Sequence, residues 1–269
     1  MLTIVLAVLV AAGTFCGAKF GLDMGTGWSI FFGVLGFAVF QIVFGIFIRR
    51  RVQADMEAVQ RIVLAGQKGL QTKMARWQFR PPSSQQAAQR ELLEDSKVFV
   101  GEAIEKTKGL RKYRLWVPMI ERQIATAQFQ LYWSVKEFRK VDELLPKVFV
   151  IDPTLAAMKM ARLYMTDRPT DEIGKVYAKA VRRLRYNQNV LLAACWSWIL
   201  VKRNDPDAAF KALTEALKSS DDATLKRNHE CLMNNRVAHF NNSGLGDKWY
   251  ALQLEEPRTH APRQHAVYR

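Results

Sequence analysis

His229, Glu230 and Cys231 are consecutive, the one place in the chain where a histidine and a cysteine stand side by side with an acid. Such a trio could begin a zinc site, but zinc takes three or four ligands at recurring spacings. The other histidines, His239, His260 and His265, are scattered, and no ligand spacing recurs. Gly244-x-Gly246 has neither a following Lys-Ser/Thr nor a preceding strand, so it is no phosphate loop. Cys16, Cys195 and Cys231 are too few and too dispersed for a disulfide framework, and they fit a reducing compartment. Acids for catalysis would have to come from Asp and Glu on helix surfaces. No catalytic residue, metal or cofactor is assigned, and the chain reads as a binding protein rather than an enzyme.

Charge is the more informative chemistry. The 269 residues carry 40 Lys and Arg against 25 Asp and Glu, a net charge of +15. Residues 1–48 hold only Lys19 and Asp23, which cancel, so the whole excess lies beyond them. A surface of that sign suits anionic lipid head groups, nucleic acid or an acidic protein. Residues 110–117, LRKYRLWV, interleave cations with aromatics as single-strand binders do. That run is one short piece ending at Pro118, which makes nucleic acid the disfavoured partner.

The elements that must carry these residues begin with two apolar runs, 2–20 and 28–48, joined by the glycine-rich GLDMGTG. Each is near the ~20 residues a helix needs to cross a bilayer. Arg49, Arg50 and Arg51 follow the second run, and clustered arginines stay on the cytoplasmic side. Residues 1–48 are therefore expected to form a transmembrane hairpin with both termini cytoplasmic, by default in a bacterial inner membrane. A cleaved signal peptide is the competing reading, but no cation precedes the first apolar run. Gly13, Gly17, Gly21 and Gly25 recur every four residues and predict close packing within the hairpin.

Residues 49–118 read as a basic helical stalk. Val52, Met56, Val59, Val63, Gly66, Leu70 and Met74 make one stripe at spacings of three and four. Arg61, Lys68, Lys73 and Arg76 lie off that stripe and, with Arg49–Arg51, are the expected membrane-surface residues. The stripe could pack on the protein's own domain or pair with a second copy. Arg80-Pro81-Pro82 breaks the helix, Ser83 with Gln86 is placed to cap the next, and Gly109 to stop it.

Residues 119–240 show internal similarity. KEFRKVDELLPKVFVIDP at 136–153 compares with NDPDAAFKALTEALKSSD at 204–221, with Glu137 and Asp205 in equivalent places 68 residues apart. Residues 169–185 fit between them after a two-residue slip. In the middle copy Ala161, Tyr164, Tyr177 and Ala180 match a small–aromatic–large–small pattern, with Ile173 at a small position. In the last copy Ala209, Leu213 and Ala216 match, and Leu200 replaces the aromatic. In the first copy Tyr132, Leu145 and Pro153 match, while Phe129, Val141, Val148 and the mid-helix Pro146 depart.

On these residues the block resembles a tetratricopeptide-repeat array. The resemblance implies an all-α fold, in which the hairpin and amphipathic stalk are followed by an α-solenoid of stacked helix pairs. It further implies a concave face lined by first helices that holds a protein or peptide. Carried over by position, that lining is Thr126, Gln130, Trp133, Met158, Arg162, Ala194, Trp198 and Lys202. Arg162 and Lys202 would favour an acidic segment. Ala223 to Phe240 is expected as the terminal helix. In the last stretch, 241–269, Trp249, Tyr250, Leu252 and Leu254 should dock back on it, and the basic end should be disordered. The whole reads as a membrane-anchored adaptor, with a basic binder of anionic lipid or nucleic acid as the alternative.

Overall fold

The computed structural model describes residues 2–21, 25–79, 82–148, 150, 152–182, 184 and 188–257. Asp23 of the hairpin turn, the Arg80-Pro81 break and the basic end from 258 lie outside them. Among the described residues the chain is all helical, with no strand. It divides into two compact units, 1–149 and 150–269.

In the first unit, α1 (Leu2–Cys16) continues as a π-helical turn, Gly17–Gly21, and returns as α2 (Thr26–Trp77). Two helices are long and apolar enough to cross a membrane, Thr3–Gly21 and Thr26–Trp77. Their contact does not use the expected glycine stripe: Gly13, Gly17, Gly21 and Gly25 face open space. It brings Ala11, Thr14 and Phe15 of α1 against Gly33 and Gly36 of α2, and Ala7 of α1 and Ala18 of the π-helical turn are buried. A Cβ on Gly33 would lie 3.3 Å from the Ala11 carbonyl, and one on Gly36 2.7 Å from the Thr14 hydroxyl. Ala7, Ala11, Thr14 and Ala18 form a second small-residue stripe at helical spacing, and this one faces the partner helix. Small side chains let backbones approach, and the alanines outcompete the glycines because α2 meets them with glycines of its own.

No proline or cap interrupts α2, which runs 52 residues, about 78 Å at 1.5 Å per residue. The second apolar run and the first half of the stalk are thus one helix. Its stripe packs within the unit. Val59 meets Val100, Ala103 and Ile104 of α3 (Gln85–Lys108) and Leu131 and Val135 of α4 (Ile120–Ser134) and its C-cap. The space at Gly66 is filled by the Phe99 ring, which a Cβ there would overlap. At the far end of the pair Lys73 binds both Glu91 and Asp95. The cap of α3 is Ser84 rather than Ser83: its hydroxyl accepts the Ala87 N–H at 3.1 Å. Gly109 does not end the chain's helicity either, because residues Gly109–Tyr113 tighten into a 3-10 turn. Between α3 and α4, the Gln128 amide donates to the Thr107 hydroxyl at 2.9 Å, both buried. The last helix, α5 (Phe138–Leu144), is only seven residues long, because Pro146 cannot continue it.

In the second unit, α6 (Pro153–Met165) pairs with α7 (Thr170–Val181), and α8 (Val190–Lys202) with α9 (Pro206–Leu217). Pro153, matched to the end of the first copy, instead starts α6, taking the first helical position, where a missing N–H costs nothing. Alanines and leucines of α8 and α9 form the core with Leu225 and Leu232 of α10 (Ala223–Met233). The terminal helix ends at Met233 instead of near Phe240, since Asn235 turns left-handed.

Four helix ends close identically. Lys136, Asp167, Asn204 and Asn235 have φ of 59°, 53°, 59° and 53°. After each, the next N–H reaches back five residues: Glu137 to Tyr132 O, Arg168 to Leu163 O, Asp205 to Leu200 O and Arg236 to Cys231 O. This is the Schellman closure, in which one left-handed residue satisfies the last carbonyls of a helix. Asp and Asn tolerate that conformation better than most residues, and Lys136 is the exception. The turns equate Leu163, not Tyr164, with Tyr132 and Leu200. Glu137 and Asp205 remain equivalent, but Arg168 stands between them at unequal intervals.

Gly66 and the neighbouring Gly69 give a paired test, since a Cβ on Gly69 meets open space. Gly66→Val should destabilise by about 1–3 kcal/mol through overpacking against Phe99. Gly69→Ala should stabilise by about 0.5–1 kcal/mol. Thermal unfolding of the full chain in detergent reads both.

Candidate functional site

The first unit holds an open cavity of about 600 Å³ between α2, α3 and α4. Val59, Val63, Leu64 and Leu70 of α2 and Phe99 of α3 give it apolar walls, and Gln130 of α4 stands at its edge. Leu64 is 62 % exposed, a large side chain that the fold leaves in water. The stripe supplies the floor because its period matches the helix, and the small residues Ser96, Ala127 and Ser134 keep the walls apart. Gln60 and Gln67 provide neutral hydrogen-bonding groups. Arg61 and Lys68 are exposed on the same helix.

The residues expected to line a concave face separate. Gln130 is exposed on that cavity, and Thr126, one turn earlier, is half-buried with its hydroxyl on the Arg122 carbonyl. Trp133 is not a surface anchor: it is 1 % exposed, stacked on Phe129 and edge-on to Phe138. Met158, Ala194 and Trp198 are likewise buried, leaving half-buried Arg162 and exposed Lys202 at the surface of α6 and α8. The apolar positions went inward because these short helices bury more than one face. Trp196 and Trp198, two residues apart, pack on different neighbours: Trp196 stacks on Tyr177 of α7, and Trp198 meets Tyr164 of α6.

The outer side of Trp198 is taken by the chain itself. After α10, 3-10 turns at Val237–His239 and Ser243–Leu245 lead to the single-turn α11 (Asp247–Tyr250). Trp249 and Leu252 are fully buried, and Trp249 meets Trp198 of α8 edge-on at 5.8 Å, where docking on the terminal helix was expected. The Glu255 carboxylate accepts both indole N–H groups, each at 2.8 Å. Buried Asn242 donates to the Ala194 carbonyl at 3.0 Å and accepts from Asn228 at 2.7 Å. Lys202 lies 5.3 Å over the Trp198 ring. Sequence reasoning missed Glu255 and Asn242, whose bonds to Trp198 and Ala194 span 57 and 48 residues.

The basic residues differ in role. Arg49, Arg50, Arg51, Arg61, Lys68 and Arg76 are exposed, whereas Lys73 is held by two carboxylates that raise its pKa, Asp95 foremost. An unbroken helix puts Lys68, Lys73 and Arg76 about 28–40 Å along the axis from Arg49. Asp55 sits near the arginines, its carboxyl held below the usual range by hydrogen bonds from Lys112 and then Tyr113, against opposing desolvation.

Among the described residues no three of His, Cys, Asp and Glu gather closely enough to hold a metal ion. His229 stacks on Phe210 at 4.6 Å and shares a hydrogen bond with Thr214. Burial pushes the Tyr177 hydroxyl up to about 12 and the Cys195 thiol higher still. Burial, with Lys179 nearby, lowers the pKa of Lys159. Compared with known proteins, the chain matches no family model, no curated protein and no solved structure.

Two outcomes test this arrangement. Glu255→Ala leaves two buried indole donors without their acceptor and should destabilise by about 1–3 kcal/mol, with Glu255→Gln milder. Tryptophan fluorescence during urea unfolding reads it. The thiolate is the reactive form of cysteine, so maleimide should label half-buried Cys231 in the folded protein. Cys195 should label only after denaturation, as mass spectrometry of the digested chain will report.

Proposed function

We propose that the protein is a membrane-anchored adaptor that holds a partner protein at the cytoplasmic face. The observation that carries this reading is the continuity of α2. One helix joins an outward-facing apolar hairpin to the walls of an open apolar cavity. The outer hairpin faces carry large apolar side chains that water would reject, including Leu9, Ile42 and Val43, each more than 60 % exposed. Arg49–Arg51 mark the cytoplasmic exit, which puts the N-terminus on the same side of what we read as a bacterial inner membrane.

The partner surface in this reading is the cavity of α2, α3 and α4. Its apolar floor with amide edges suits the apolar face of an amphipathic helix. Arg61 and Lys68 on α2 favour acidic residues along that helix. Residues 150–257 act as a tetratricopeptide-like solenoid. Support comes from two successive helix pairs, small residues at their contacts and the shared Schellman turns. The Trp198 side, which the family resemblance would offer to a ligand, is occupied by the chain's own Trp249 and Glu255. Binding of anionic lipid is favoured at one place, the basic segment packed beside the end of the apolar run of α2.

Photo-crosslinking in living cells tests the adaptor. A probe at Gln130 should give one dominant protein adduct that Leu64→Asp abolishes, and a probe at Lys218 on the outside of α9 should not. Leu64 is exposed, so its replacement leaves the core intact. No adduct from Gln130, or equal labelling from Lys218, removes the reading.

A further inference from the structure

The link between α3 and α4 is not a passive connector. Its 3-10 turn is pinned to α2: the Tyr113 hydroxyl donates to Asp55 Oδ2 at 3.0 Å, and Lys112 pairs with the same oxygen at 2.8 Å. Leu110 and Tyr113 bury themselves against Val52 and Met56. From there the chain runs back along α2 toward the apolar run. Trp116 reaches Phe44, with ring centroids 5.3 Å apart. Phe44 lies five residues before Arg49, inside the apolar run, and eleven before Asp55, so the link descends about 16 Å along the helix.

At its lowest point the link exposes what water disfavours. Leu115 is 62 % and Met119 58 % exposed, either side of Trp116, Val117 and Pro118. Met119 has φ of 69°, a left-handed conformation unusual for methionine, and it turns the chain into α4. Above this apolar tip stand cations. Residues 106–114 contain Lys106, Lys108, Arg111, Lys112 and Arg114 and no acid. Lys108 pairs with Glu105 and Arg114 with Glu121, while Arg111 is exposed. Arg49, Arg50 and Arg51 project from the adjacent turns of α2.

We infer that residues 115–119 are an interfacial membrane anchor: Leu115, Trp116 and Met119 enter the headgroup–acyl boundary, and Arg111, Arg114 and Arg49–Arg51 bind anionic phospholipid head groups. Trp favours that boundary, since its ring is apolar and its N–H is wet. Cations on long stems reach up to phosphate while their methylenes stay in the apolar layer. A polybasic segment is drawn to an anionic leaflet and not to a zwitterionic one. The link thereby ties α3 and α4 to the bilayer as well as to α2, and fixes the height of the cavity above the membrane. This inference rests on the reading that the apolar run of α2 crosses the bilayer.

Site-directed spin labelling of the full chain tests both separately. Cys16, Cys195 and Cys231 are replaced by serine or alanine, and single cysteines are placed at Leu115, Met119, Val43 or Lys218. The protein is reconstituted in vesicles of phosphatidylcholine alone or mixed with phosphatidylglycerol. Accessibility to oxygen against a water-soluble nickel chelate reports depth. Labels at 115 and 119 should read interfacial depth in the mixed vesicles and shallower in phosphatidylcholine. Arg111→Gln with Arg114→Gln should abolish that difference, while the label at 218 stays aqueous throughout and confirms the fold. Labels at 115 and 119 as aqueous as 218, with 43 in hydrocarbon, overturn the interfacial anchor and leave the span standing. Equal depth in the two vesicles overturns the anionic recognition. An aqueous label at 43 overturns the span and the anchor together.

Discussion

Everything in the first unit depends on the hydrogen-bonded continuity of α2. A helix satisfies its own backbone groups, so it can pass from an apolar to a polar medium without a break. Here 52 residues run with no proline, and only the side chains change along them. The first part carries apolar residues all round; the second carries a stripe. A joint between them would let the stalk swing. Its absence couples the position of α3 and α4 to the hairpin, because both pack along the same rod.

That coupling is completed by pairs spread along α2. Asp55 with Lys112 and Tyr113 holds one end, Gly66 against Phe99 the middle, and Lys73 with Glu91 and Asp95 the other. The exposed ion pairs contribute little individually, since water and salt screen them. Their value is register: they hold Phe99 against Gly66, where a Cβ would overlap its ring. The cavity beside them exists because the same stripe that fills the core continues past the point where α4 covers it.

The second unit solves a different problem with the same materials. Helices α6 to α10 are 11–13 residues long, too short to be stable alone. They survive by burying alanine-rich faces on their neighbours, and α6, α8 and α10 each close with a left-handed residue. Trp198 then has no solvent-facing side left, because residues 237–257 fold over it and Glu255 satisfies the indole nitrogen. A tryptophan in a repeat's first helix reads equally well as a ligand anchor or as a docking site for the chain's own end. In this protein the latter arrangement is the one formed.

Local order along the chain was legible in the residues themselves. The two apolar runs, the stripe from Val52 to Met74 and the helix pairs about Asn204 follow from hydrophobic period and from turn residues, which act within a few residues, whereas Pro146, read as lying inside a helix over 136–153, leaves α5 ending at Leu144. Even there the detail slipped by one position at Ser84 and at Leu163, because neighbouring residues of the same type compete and packing chooses between them. Which stripe of α1 faces α2, which tryptophan is buried and where residues 110–119 lie were decided only by tertiary structure. Those are contacts between residues tens of positions apart. Their free energy depends on shape and on shared burial, and neither quantity is present in one-dimensional spacing.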